Sequence, residues 1–126
     1  MTTGVPYHHV AIGAGTRHVF VAGQIDRDVD GAPTAGDSLS GQVAQALRNT
    51  ALGLAGAGAG FGDVVRLTVY VARWKPEDIS EFMAGVEAVA DELSLPRPLP
   101  PTSLIGVEIL FEPDVLVEVE ATAVLA

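Results

Sequence analysis

The amino-acid sequence predicts an α+β fold: a mixed β-sheet with two helices packed on one face, in the order ββαβαββ. Three observations predict it. Short segments rich in β-branched residues alternate apolar and polar side chains, the period of a half-buried strand. Two longer stretches repeat apolar residues at offsets of three and four, the period of an amphipathic helix. The two kinds of segment interleave, so helices interrupt strands and share one sheet.

The elements follow in order. Tyr7 to Ile12 and His18 to Ala22 are β-forming and flank Gly13-Ala14-Gly15-Thr16, which reads as a hairpin. Asp26 to Gly36 mixes Asp, Gly and Pro and reads as loop. Asp37 or Ser38 then caps a helix whose apolar face holds Leu39, Val43, Leu47 and Leu54, with Ala46 and Ala51 between them. The glycine-rich run from Gly53 to Gly60 ends that helix, with Gly58 or Gly60 at the turn. Asp63 to Ala72 reads as a strand, with Val65, Leu67, Val69 and Val71 on one face and Arg66, Thr68 and Tyr70 on the other. Pro76 suits the first position of a second helix, because its ring presets a helical φ. Ile79, Phe82, Met83, Val86, Val89 and Leu93 form that helix's apolar stripe. Ser94 to Pro101 carries four prolines in eight residues and must run extended. Thr102 to Leu110 and Val115 to Leu125 are the last two strands, joined across Phe111-Glu112-Pro113-Asp114.

The chain of 126 residues suits one domain, residues 1–126. It carries 16 acidic and 7 basic residues, a net charge of −9. Phosphate binding relies on clustered Lys and Arg, and here they are scattered, so no nucleic-acid partner is expected. No segment reaches the roughly 20 apolar residues that span a bilayer, so no membrane partner is expected. The N-terminus lacks a basic region followed by an apolar one, which predicts a cytoplasmic protein without a signal peptide. Apolar residues make up 48 % of the chain and the mean hydropathy is +0.36. So apolar a small domain is expected to bury some of its surface between subunits. No cysteine is present, so thiolate chemistry and disulfides are excluded.

Few residues offer chemistry. Glu118 and Glu120 lie two apart in a strand of valines and project from one face, about 7 Å apart. A carboxylate in a half-buried apolar cleft has a raised pKa, which suits acid–base work. Strand alternation alone also accounts for both as a solvated polar face. His8 and His9 point to opposite faces of a strand, so only one can join His18, and no set of four metal ligands forms. No metal is expected. The runs Gly13-Ala14-Gly15 and Gly56 to Gly60 lack the strand–glycine–helix context of a nucleotide loop. No cofactor is expected.

Three segments carry a family resemblance: Val21-Ala22-Gly23-Gln24-Ile25, Pro100-Pro101-Thr102-Ser103-Leu104-Ile105-Gly106-Val107 and Val117-Glu118-Val119-Glu120-Ala121. With the run from Gln42 to Val71, they make the chain resemble the RidA (YjgF) family from Pro6 to Ala123. The resemblance implies a chorismate-mutase-like fold and a homotrimer with ligand clefts between subunits. It implies hydrolysis of reactive imines and enamines. Glu118 matches the glutamate that orients or activates water, and Tyr7 matches a tyrosine near the cleft.

Other positions depart from the family pattern. Thr102 stands where an arginine grips the substrate carboxylate, and a threonine hydroxyl offers neither the charge nor the fork of donors. Met83 stands in place of an asparagine, Ala22 in place of a serine and Leu104 in place of a cysteine. Arg97, five positions before Thr102, is expected on the surface.

The expected substrate-binding set is Thr102, Ser103, Leu104, Met83, Ala22, Gln24 and Glu120, with Glu118 and Tyr7 catalytic. Backbone N–H groups near Thr102 to Leu104 would steady a developing negative oxygen. A cleft without its cationic clamp favours a ligand less anionic and more apolar than an amino-acid imine. The expected function is acid–base chemistry on a small imine, enamine or related metabolite: hydrolysis or deamination, tautomerisation or cyclisation. Activity on 2-aminoacrylate is expected to be weak or absent. The alternative is a trimer that binds a small molecule, or acts as a chaperone, without chemistry.

Overall fold

A computed structural model describes residues 1–126. Its elements are β1 (Arg17–Gln24), α1 (Leu39–Gly56), β2 (Val64–Ala72), α2 (Ile79–Ala90), β3 (Thr102–Val107) and β4 (Val117–Leu125). Single 3₁₀ turns at Phe61–Asp63 and Pro76–Asp78 lead into β2 and α2. The strands form one sheet in the order β1-β4-β2-β3. β4 pairs antiparallel with both β1 and β2, and β2 pairs parallel with β3. The sheet is therefore mixed, and the parallel pair is the one whose connection contains a helix, as a parallel crossover requires.

Alternation along β4 sets the layering. Val117, Val119, Ala121 and Ala123 are buried, and Glu118, Glu120, Thr122 and Val124 face the other way. The buried row joins Leu67, Val69 and Val71 of β2, Val43, Leu47 and Leu54 of α1, and Phe82, Val86 and Val89 of α2 in one core. The opposite face of the sheet carries no helix.

α1 starts as its sequence dictates, whereas Pro76 opens the 3₁₀ turn that precedes α2, which itself begins at Ile79. The Ser38 hydroxyl accepts from the Gly41 N–H at 3.1 Å, capping α1. Gly58 turns the chain after α1 with φ +79°. The helices approach closely at Gly85, where a Cβ would lie 2.5 Å from the Ser40 carbonyl oxygen. Neither helix is long and apolar enough to cross a membrane.

Two buried polar residues hold the loops. Asp26 is fully buried and accepts from the Thr34 hydroxyl at 2.6 Å and the Ala35 N–H at 2.9 Å. Gln42, on α1, donates to the carbonyls of Gly36 and Asp114 and accepts from the Leu116 N–H. Arg27 pairs with Asp114 at 2.9 Å, adding a second tie between the loops before α1 and before β4.

The expected first strand does not form, and the observed order is βαβαββ. Tyr7 makes only an isolated parallel bridge with Leu99. The reason lies in its partners. The His8 N–H donates to the Leu99 carbonyl at 2.8 Å, and the Leu99 N–H donates to the Pro6 carbonyl at 2.9 Å. Further on, Gly13 passes so near Val124 that a Cβ would sit 2.8 Å from its Cγ2. The segment thus crosses the end of β4 instead of returning along β1. A second correction concerns β2. A register shift between Val64 and Arg66 lets Val64 take the buried position expected of Val65. β3 also ends at Val107, and β4 begins at Val117.

Candidate functional site

The expected site residues fall into two groups on different sides of the sheet. Tyr7, Met83, Thr102, Ser103 and Leu104 line one groove of about 470 Å³, with Phe82 and Leu99 beside them. The bridge to Leu99 places Tyr7 there, and the apolar stripe of α2 supplies Met83. No charged side chain lines the groove. The Thr102 hydroxyl donates to the Pro100 carbonyl at 2.7 Å, so its one donor is already engaged.

The second group lies on the helix-free face. Glu118 rests over Gly23, whose missing side chain makes the space: a Cβ there would lie 2.5 Å from the carboxyl carbon of Glu118. Burial first, and the neighbouring Glu120 second, push the Glu118 carboxyl above its ordinary range. Glu120 differs, because it accepts from the Tyr70 hydroxyl at 2.7 Å. That hydrogen bond, and then burial, push the Tyr70 phenol up. Two carboxylates two residues apart thus have distinct environments, one partnered and one desolvated.

Ala22 and Glu120 line a hollow of about 310 Å³ on this face, with Phe20, Arg66, Thr68 and Thr122. Gln24 is not with them. It lies at the end of β1, donates to the Ala22 carbonyl at 3.1 Å, and lines a different hollow beside Asn49 of α1. Within one chain β2 lies between β3 and β4, and the groove and the Glu118 face touch at the Arg66–Ser103 hydrogen bond.

Arg66 and Tyr70 are polar residues of this face that were given no role from the sequence. Arg66 donates to the Ser103 hydroxyl at 2.8 Å, one residue beyond Thr102. The alternation of β2 already put Arg66, Thr68 and Tyr70 on one side. Their place beside Glu118 and Glu120 depends on the β2–β4 register, which pairs Tyr70 with Glu118 and Thr68 with Glu120. Arg97 sits at the surface, paired with Glu87 at 3.2 Å and Asp91 at 3.3 Å. His8, His9 and His18 join no cluster of three metal-ligating side chains, and His9 contacts the Thr2 carbonyl at 2.6 Å.

Known proteins share this fold. A family model described as Endoribonuclease L-PSP matches residues 1–125. A RutC family protein of Pyrococcus horikoshii is 34 % identical over 123 residues, covering 94 % of this chain and 86 % of its own length. Among solved structures, the Rid-family protein YyfB of Yersinia pestis superposes with a TM-score of 0.86 at 34 % identity. That match covers 99 % of this chain and 92 % of the other. Escherichia coli TdcF, solved with bound serine, superposes with a TM-score of 0.71 at 26 % identity, covering 97 % and 96 % of the two chains. With a family model matched from end to end and a shared fold at one-third identity, the chain belongs to the Endoribonuclease L-PSP family, that of the RidA and YjgF proteins.

Proposed function

We propose that this protein performs acid–base chemistry on a small imine, enamine or related tautomerising metabolite, in clefts between the subunits of a homotrimer. The reaction is hydrolysis with release of ammonia, tautomerisation or cyclisation. Glu118 takes and returns the proton, from water or from the substrate itself. Tyr7 holds the substrate by its phenol, and Met83, Thr102, Ser103 and Leu104 line its apolar side. Ala22 and Glu120 approach with Glu118 from the neighbouring copy, and Gln24 borders the cleft from the end of β1.

The observation that carries this reading is Glu118 itself. It is a half-buried carboxyl over a glycine, with no hydrogen bond to hold it ionised and with a raised pKa. A carboxyl pKa raised above its ordinary value makes the group a better proton acceptor, which suits acid–base work. Division of the site residues between two sides of the sheet supports the oligomer, because a second copy can bring a Glu118 face against a Tyr7 groove. The serine bound to TdcF supports a small-molecule ligand. Pairing of Arg27, Arg48 and Arg97 with carboxylates leaves few basic side chains for RNA and supports the absence of that partner.

Ammonia release from a panel of imines, generated in place by amino-acid oxidation, tests the proposal. The wild type is expected to accelerate at least one of them, and Glu118→Gln to lower that rate by about 100-fold or more. Unchanged turnover in Glu118→Gln removes the assigned role.

A second reading has its own observation. The groove at Thr102 is uncharged and its hydroxyl is occupied, which suits a trimer that binds an apolar metabolite without reaction. Product analysis separates the two, because a binder returns its ligand unaltered.

A further inference from the structure

β3 is the edge strand of the sheet, so its residues stand between the groove and the helix-free face. The parallel pairing with β2 sets Thr102 beside Leu67 and Ser103 beside Thr68. Leu67 points into the core, so Ser103, one residue on from Thr102, turns to the side that Thr68 and Arg66 share. Arg66 Nη2 reaches its hydroxyl at 2.8 Å, and Ser103 still borders the groove.

Chemistry fixes the direction of this hydrogen bond. A guanidinium only donates, so the Ser103 oxygen accepts. Its own O–H is left to donate, and it has no acceptor within the chain. Thr102 differs, because its hydroxyl is spent on the Pro100 carbonyl. A donor whose oxygen already accepts from a cation is polarised, and hydrogen bonds in such a chain strengthen one another. Ser103 thus carries the influence of a charge into a groove that no charged side chain lines. A ligand carboxylate there would leave one oxygen unsatisfied among Met83, Leu99 and Leu104, and a buried charge without a partner is costly. A neutral carbonyl oxygen is satisfied by the one donor.

We propose that Ser103 donates its hydroxyl to a neutral carbonyl oxygen of the substrate, that of an amide, ester or ketone, and that Arg66 is the positioning residue that holds and polarises it. In the cleft proposed above, on which this assignment rests, the substrate is then an imine or enamine with an uncharged acyl group in place of a carboxylate. Arg66 acts through Ser103 and touches no ligand atom. The contact uses a single N–H, so the positive charge matters and the guanidinium fork does not.

Titration with isobutyramide, followed by the backbone N–H shifts in NMR, tests this, with isobutyrate as the charged isostere. The wild type is expected to bind isobutyramide saturably and isobutyrate about threefold or more weakly. Ser103→Ala and Arg66→Met are each expected to weaken isobutyramide by about threefold or more, and the double variant no further than Ser103→Ala alone. Arg66→Lys is expected to stay within about twofold of the wild type. If Arg66→Met fails to fold, Arg66→Gln takes its place. Absence of saturable isobutyramide binding to the wild type overturns the proposal, as does equal or tighter binding of isobutyrate. Undiminished binding to Ser103→Ala or Arg66→Met overturns it too, and so does a loss in Arg66→Lys as large as that in Arg66→Met. A further loss on adding Arg66→Met to Ser103→Ala overturns it as well, because Arg66 then touches the ligand itself. Isobutyramide is not turned over, so these titrations are read apart from the ammonia release of Glu118→Gln.

Discussion

Glu118 lies directly over Gly23: a Cβ built on the glycine would come within 2.5 Å of the Glu118 carboxyl carbon and of Oε1. The glycine and the carboxyl therefore occupy one another's space. The last strand supplies the acid, and the end of β1 supplies the room that sets its position.

Gly23→Ala is expected to displace Glu118 and leave the fold intact. The atoms in the way are the far end of a flexible side chain, not backbone. Turnover should fall toward that of Glu118→Gln, with the thermal midpoint little altered. Kinetics and melting curves measured together check this, and full activity in Gly23→Ala would separate the glycine from the chemistry.

Stability should respond to the Glu118 titration. Its folded-state pKa lies above the ordinary glutamate value, because of burial and then Glu120. Folding therefore favours the protonated form. The stabilising share is fully present below the unfolded-state pKa and is lost as pH rises through the folded-state pKa. Glu118→Gln removes that loss. Urea denaturation from pH 4 to pH 8 should show the variant gaining on the wild type as pH rises, and a constant difference would contradict the assignment.

Gln42→Ala should be destabilising by about 3 kcal/mol. The side chain is 1 % exposed. It bonds to Gly36, Asp114 and Leu116, so truncation leaves backbone groups of two loops unpaired beside the core. Chemical denaturation measures the loss.

Gly85→Ala should cost about 1–3 kcal/mol through overpacking. A Cβ would lie 2.5 Å from the Ser40 carbonyl and 2.7 Å from the Val43 Cβ, so α1 and α2 must separate. Unlike at Gly23, the obstacles are backbone and the root of a core side chain, which cannot swing aside.

Thr102→Arg should raise activity toward imines that carry a carboxylate and leave uncharged imines unaffected or slower. The groove beside Thr102 has no charged group, so the new guanidinium meets no resident partner there. The ratio of kcat/KM for the two substrate types is the measurement, and an unchanged ratio would detach Thr102 from specificity.

The sequence by itself determined the periods. Leu39, Val43, Leu47 and Leu54 mark a helix, and the Val117–Val119–Ala121 row marks a strand with Glu118 and Glu120 opposite, because side-chain direction repeats within a single element. From those periods followed the two helices, the mixed sheet and the shared face of the two carboxylates. Only the tertiary structure decided which element meets which. Tyr7 spends its backbone on Leu99 and not on β1. Arg66 meets Ser103 across 37 positions of chain, and Glu120 rather than Glu118 receives the Tyr70 hydroxyl across 50. Register between strands distant in sequence is chosen by the fit of the whole core, and no local pattern encodes it.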